Sequence, residues 1–202
     1  MNINEIAAGI LAGGKSLRMG KNKANLTDAK NPKNTLIMSA ISKCSVFPEI
    51  MISADSKSRY PQIDVRIVED EIKGFGPVEG IYQLLCNSSK QYLFVMAVDM
   101  PLIDERFFIE FIKCAAECKK ADAYVAKDAA GRLQPLCALY NKAIIPTLED
   151  MRRHKQHRIM SLIDRINTVI IEAKSIAADD VFDNINTPLD YEVYKRKTEQ
   201  RL

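Results

Sequence analysis

Apolar runs of strand length alternate with helical stretches along most of this chain. Ile6 to Leu11, Ile50 to Ser53, Val65 to Val68, Tyr92 to Val98 and Ala123 to Ala126 are short, largely apolar segments, the form taken by strands buried on both faces. Between the first two, Thr35 to Cys44 places Leu36, Ile37, Ala40 and Ile41 on one helical face, while Thr27 to Lys33, polar and interrupted by Pro32, reads as a surface loop. Asp104 is placed to cap a helix in which Phe107, Phe108, Phe111, Ile112 and Ala115 recur at helical spacing; such a stripe reads as core. An apolar texture returns at Leu136 to Tyr140, followed by a helical Lys142 to Arg153 and a strand-like Thr168 to Ile171. Thr187 as N-cap and Pro188 at the first helical position announce a last helix through Glu199. This alternation predicts an α/β protein with a mostly parallel sheet covered on both faces by helices.

Composition narrows the class. The 202 residues suit a single domain spanning 1–202, and 47% hydrophobic with 27% charged residues excludes disorder as the main state. A net charge of +3 is too small to argue for nucleic acid, so the basic residues matter by location. No apolar stretch approaches the roughly 18 residues of a membrane span and no leader pattern opens the chain, which predicts a cytoplasmic protein without membrane contact. The five cysteines, Cys44, Cys86, Cys114, Cys118 and Cys137, lack a paired C-x-x-C spacing and read as core thiols. His154 and His157, within the basic run Arg152 to Arg158, lack Cys or carboxylate partners at metal spacing and read as a solvated helix end.

The chemistry concentrates in Ile10 to Ala24, ILAGGKSLRMGKNKA. Gly13 and Gly14 allow backbone amides to approach a ligand, and Lys15, Arg18, Lys21 and Lys23 surround Gly20 with positive charge. That combination at the end of a strand suits a polyphosphate. Gly9 and Gly14-Lys15-Ser16 also satisfy the Walker A spacing, with Phe94 to Asp99 resembling a Walker B strand. On that alternative, a P-loop NTPase would use Lys15 and Ser16. Against it, Ile10-Leu11-Ala12 reads as strand continuing, and a helix beginning at Lys15 would carry Gly20 at a cost of about 1 kcal/mol. Asp99 ends an apolar run before Met100-Pro101, where a parallel strand stops and where ligands bind. A carboxylate there can hold Mg²⁺, which takes few protein ligands.

The whole segment carries a longer pattern. Leu11-Ala12-Gly13-Gly14, Ser16, Arg18-Met19-Gly20 and Lys23-Ala24 are followed by Val68-Glu69-Asp70, Gly76-Pro77 with Gly80, Val98-Asp99-Met100-Pro101 and Asn184-Ile185-Asn186-Thr187-Pro188. In order and spacing these resemble the molybdenum cofactor guanylyltransferase (MobA) family within the MobA-like NTP transferase superfamily. The resemblance implies a Rossmann-like three-layer α/β/α nucleotidyltransferase fold and transfer of GMP from GTP to molybdopterin, with release of pyrophosphate. It implies GTP and molybdopterin as substrates, Mg²⁺ as cofactor, and transient contact with molybdoenzyme or cofactor-delivery proteins. Carried onto this chain, it places Leu11, Ala12, Gly13, Gly14, Lys23, Ser53, Asp70, Gly76 and Asp99 at the nucleotide. It implies Asp99 as the metal ligand, Arg18, Lys23 and Asp99 as the catalytic set, and Asp70 as the residue that reads the base or the ribose. Asn184 and Asn186 contact the second substrate or the metal, and the basic residues Arg152, Arg153, Lys155 and Arg158 are candidates for a pterin phosphate.

Two residues depart from the pattern. Ser53 stands where guanylyltransferases often carry Asn, and Glu79 where a small apolar residue is usual. These keep open a relative that transfers cytidylyl or a sugar-linked nucleotidyl group, and a nucleotide-binding module without turnover.

Overall fold

The computed structural model describes residues 1–13, 22–172, 176 and 179–200. Its centre is a seven-stranded sheet in the order β3-β2-β1-β4-β6-β5-β7. In chain order the strands are β1 (Ile6–Leu11), β2 (Ile50–Ala54), β3 (Arg66–Glu69), β4 (Tyr92–Ala97), β5 (Ala123–Lys127), β6 (Leu133–Asn141) and β7 (Thr168–Glu172). The helices are α1 (Leu36–Lys43), α2 (Pro77–Asn87), α3 (Glu105–Glu117), α4 (Ile145–Arg153), α5 (Ile159–Ile163) and α6 (Pro188–Glu199).

β6 alone runs against its neighbours, antiparallel to both β4 and β5, because the chain turns straight back from β5 through residues 128–132. Asp128 makes that turn: its backbone N–H bonds to Arg132 O, and its side chain accepts from the Arg132 amide and from Gln134.

The period of two along each strand sorts the core into two layers. Ile6, Ala8 and Ile10 of β1, with Phe94 and Met96 of β4, face α1, α3 and α6 through Ile37, Phe108, Phe111 and Tyr194. Ala7 and the β4 residues Leu93 and Val95 face α2, α4 and α5 through Ile81, Leu84, Leu148 and Leu162. The aromatic stripe of α3 is core, with Phe94 and Phe108 ring centroids 5.0 Å apart. The α6 cap also forms as the sequence predicts: Thr187 accepts from the Asp190 amide, and the Asp190 carboxylate accepts from the Thr187 amide. Among the described residues no helix is long and apolar enough to cross a membrane.

The chain steps from β1 outward to β2 and β3, then returns to place β4 on the other side of β1. That reversal opens a crevice between the carboxyl ends of β1 and β4, where open α/β sheets bind their ligands.

Two sequence expectations need correction, and one is borne out. Asp28, in the segment expected as a surface loop, is buried; it accepts from the Lys30 amide and from Tyr194 Oη of α6. Cys86 and Cys118 are exposed, whereas Cys44 and Cys137 are core thiols. Gly9 lies inside β1, paired with Met51 and Val95, and a Cβ on it would sit 2.8 Å from Leu84 Cδ1. The glycine therefore serves close packing of α2 on the sheet, and the Walker A spacing begins in mid-strand rather than in a loop.

Candidate active site

Strand ends build the floor of the crevice. The Ala12 amide bonds to Ser53 O, and the Val98 amide bonds to Leu11 O, so the chain leaving β1 is held between β2 and β4. A cleft of about 760 Å³ opens above, lined among others by Leu11, Ala12, Gly13, Lys23, Ser53, Asp70, Gly76 and Asp99. These are the expected nucleotide residues, with one exception: Gly14 lies outside the described residues, as do Arg18, Lys15 and Ser16.

At one end of the cleft Lys23 begins a 3-10 turn, Lys23–Asn25, whose first free amide is capped by the Asn22 side chain. The turn aims Lys23 at Asp99: Nζ donates to Asp99 Oδ2 at 3.2 Å and to Asn186 Oδ1 at 2.7 Å. Asp99 is held in turn by the C-terminal segment, since the Ile185 amide donates to Asp99 O at 2.9 Å. Asn184 and Asn186 flank that bond, and Asn184 Oδ1 is buried without a hydrogen-bond partner. The Asp99 carboxylate and the amide oxygens of Asn184 and Asn186, that of Asn184 unpartnered, are oxygen donors of the kind a hard cation prefers. Among the described residues no group of three His, Cys, Asp or Glu side chains could hold a metal.

At the other end Asp70 follows β3. Its Oδ1 accepts from Ser53 Oγ at 2.8 Å within buried surroundings. Burial pushes the Asp70 carboxyl above the usual range; the Ser53 hydrogen bond opposes this, and the nearby Asp55 and Glu79 carboxylates add to the rise. Asp70 Oδ2 lies on the Gly13 side, 3.7 Å from where a Cβ on that glycine would be. Lys73, the partner a loop acid would ordinarily take, instead donates to the carbonyl of Asp55. Gly76, with φ of 94°, adopts a backbone that other residues rarely reach and caps α2.

Arg152 departs from its expected place in a solvated run. It is nearly buried and binds Glu79 and Glu71 while its guanidinium lies 3.9 Å over the Tyr82 ring. Burial works against its charge, but the hydrogen bonds to the two carboxylates outweigh that and raise its pKa. It is therefore spent within the fold and cannot receive a pterin phosphate.

Several residues at or beneath the cleft escaped the sequence reading. Tyr60 Oη donates to Ala12 O at 2.9 Å and accepts from Asn22 Nδ2 at 3.3 Å, joining the β1 loop to the Lys23 turn. Asp55, Lys73 and Asn22 line the cleft itself. Tyr60 and Asp55 sit in a short polar stretch after β2 with no periodicity, so only the fold brings them here. Asn22 adjoins the glycine segment, and its spacing ahead of Ala24 marks a local cap.

Comparison with known proteins places the site in context. The family model described as the MobA-like NTP transferase domain matches residues 8–169. A protein of Peptoclostridium acidaminophilum named "Probable molybdenum cofactor guanylyltransferase" is 29% identical over 200 residues, covering 95% of this chain and 89% of its own. A Campylobacter jejuni protein named molybdenum cofactor guanylyltransferase is 27% identical, covering 98% of this chain and 99% of its own. The crystal structure of molybdopterin-guanine dinucleotide biosynthesis protein A from Archaeoglobus fulgidus superimposes with a TM-score of 0.82 at 22% identity, covering 96% of this chain and 99% of that one. That likeness establishes the three-layer fold.

Proposed function

This chain belongs to the MobA-like NTP transferase family, and on that premise we propose that it is a molybdenum cofactor guanylyltransferase, transferring GMP from GTP to molybdopterin. The observation that carries the reading is the meeting of Lys23, Asp99 and Asn186 at the β1–β4 crevice, opposite a buried carboxylate at Asp70.

The cleft offers each part of GTP a matching surface. Guanine presents a ring N–H beside an amino group, and a carboxylate accepts from both; Asp70, preset by Ser53, is the acceptor at the base end. The chain at Ala12 and Gly13 supplies backbone to the phosphates, and Lys23 adds the fixed positive charge. In the reaction a terminal phosphate oxygen of molybdopterin bonds to the α-phosphorus of GTP as the α–β bridging bond breaks and pyrophosphate leaves. The nucleophile is already ionised, so no general base is required, and positioning with charge neutralisation does the work. Mg²⁺ would be held by Asp99 with the amides of Asn184 and Asn186, and when bound it supplies neutralisation of charge on the departing pyrophosphate.

The test is an assay with α-labelled GTP, Mg²⁺ and molybdopterin, run beside CTP and ATP and with Lys15→Ala and Lys23→Ala variants. Label in the pterin, with pyrophosphate released and activity lost at Lys23, supports the reading. Transfer preferring CTP would move the chain to cytidylyl transfer. Orthophosphate release that depends on Lys15 would sink it, and nucleotide binding without any product would leave a binding module.

A further inference from the structure

Between β3 and α2 the chain makes the loop 70–76, which walls the Asp70 end of the cleft with Asp70, Lys73, Gly74 and Gly76. Glu71, Ile72, Lys73 and Gly74 are exposed, and two glycines in the loop have positive φ, 74° at Gly74 and 94° at Gly76. A segment of this composition costs much entropy to hold in one shape. Its order needs a source.

The source is a carboxylate beneath it. Glu79, in the first turn of α2, is completely buried. Its Oε1 accepts from the Glu71 amide at 3.0 Å, the Ile72 amide at 3.3 Å and Gln83 Nε2 at 2.9 Å, while Oε2 accepts from Arg152 Nε at 2.6 Å. Arg152 of α4 completes the clamp by donating to Glu71 at 2.7 Å and covering Tyr82. The chain between α4 and α5 reaches the loop again where His157 meets Phe75 edge to face, with ring centroids 6.2 Å apart. A buried charge is tolerated only when its lone pairs are filled. Here two of the donors filling them are backbone amides of the cleft wall.

We propose that Glu79, held by Arg152, is a positioning residue for nucleotide recognition: it fixes loop 70–76 and thereby the place of the Asp70 carboxylate. This rests on the reading of the cleft as a nucleotide site. The clamp touches no reacting atom, so its loss acts on nucleotide binding and base choice and leaves the transfer step alone.

Two double variants separate loop-holding from the ion pair itself. Glu79→Gln with Arg152→Met keeps an oxygen for the two loop amides and removes both charges. Glu79→Leu with Arg152→Met removes the acceptor as well, and an apolar pair in place of a buried ion pair commonly preserves stability. GTP and CTP affinities are measured by calorimetry, KM and kcat in the transfer assay, and amide exchange on the unaltered protein. The expected results are a GTP affinity at least about tenfold weaker in the Leu/Met variant, a reduced preference over CTP, kcat within about threefold, and near-normal affinity in the Gln/Met variant. In the unaltered protein the Glu71 and Ile72 amides should exchange at least about a hundredfold slower than free peptide, despite the exposure of those residues. Free exchange at these two amides would overturn the proposal without any variant, as would a folded Leu/Met variant that binds GTP normally. An unaltered protein with protected amides but no nucleotide binding would instead remove the functional reading on which the proposal rests.

Discussion

Lys23 and Asp99 stand 76 residues apart in sequence and meet at 3.2 Å between Nζ and Oδ2, with Asn186 Oδ1 accepting from the same ammonium at 2.7 Å. The two side chains are 16% and 22% exposed, so each remains open to the cleft. A partly solvated pair of this kind contributes about 1 kcal/mol or less to stability, yet it sits where phosphate charge would be neutralised.

Lys23→Ala and Asp99→Ala should therefore separate activity from folding. Each is expected to lower kcat for GMP transfer by about 10² to 10³, with a melting temperature within a few degrees of the unaltered protein. Because the residues act as a unit, the double variant should lose little more than either single one. Steady-state kinetics and thermal denaturation of the three variants check this; retained turnover in Asp99→Ala would take Asp99 out of the mechanism.

Asp70 predicts a pH dependence of binding. Burial raises its pKa in the folded protein, and on the proposed reading guanine needs the ionised form as acceptor. GTP affinity should weaken as pH falls through a transition lying above the ordinary aspartate range, and Asp70→Asn should remove that transition along with much of the preference for guanine. The stability sign runs the other way. A carboxyl whose folded pKa is raised contributes most when protonated, below the unfolded value, and the contribution is lost as pH rises through the folded value. Asp70→Asn should flatten that loss. Calorimetric GTP titrations and denaturant melts from pH 4 to 7 test both; a GTP affinity that is flat across this range would exclude a titrating carboxylate at the base.

Much of this geometry was legible in the chain. Strand periods located β1, β2 and β4 to within a residue or so, because both faces of the sheet are buried and the pattern is strong. Asp104 and Thr187 were legible as caps because capping is local. What was hidden depends on tertiary closure. The reversal of β6 follows from a hairpin whose turn is held by Asp128 rather than by a recognisable two-residue signal. Arg152 looked solvated because its partners, Glu79 and Glu71, lie 73 and 81 residues away. Tyr60 carries no sequence sign of its bond to Ala12 O. Of the expected site, Lys23, Ser53, Asp70, Gly76 and Asp99 come together around one cleft.

Gly80 predicts a linked loss of packing and recognition. A Cβ there would lie 2.6 Å from Ser53 Oγ and 2.8 Å from Leu11 Cδ2, so the Ser53 hydroxyl and the Leu11 side chain would have to move or α2 would be pushed off the ends of β1 and β2. Gly80→Ala should destabilise the fold by about 1–3 kcal/mol and displace the Ser53 hydroxyl from Asp70. Ser53→Ala loses the hydrogen bond without the clash. Urea denaturation beside GTP titration should show both variants weakened in binding but only Gly80→Ala strongly destabilised. Equal stability of Gly80→Ala and the unaltered protein would mean that the helix has room the structure does not show.

The turn that carries Lys23 runs on into a segment secured from α6, where Tyr191 Oη donates to Thr27 O at 2.7 Å and Tyr194 Oη to the buried Asp28 carboxylate. Burial pushes Asp28 up, but the nearby Ser39 hydroxyl, the hydrogen bonds from Tyr194 and the Lys30 amide, and the Lys43 charge outweigh it and hold the carboxyl below its usual range. A depressed carboxyl contributes stability above its unfolded pKa, and that contribution is lost as pH falls through the folded value. Tyr194→Phe removes one of these donors and leaves a buried carboxylate less satisfied, at an expected cost of about 1–3 kcal/mol near neutral pH. The cost should shrink toward acid, where Asp28 protonates in both proteins. Tyr191→Phe, whose hydroxyl bond lies at the surface, should cost less and show no such convergence. Melting both variants from pH 3 to 7 distinguishes them: a Tyr194→Phe penalty that stayed constant with pH would place the loss in packing rather than in the Asp28 hydrogen bond.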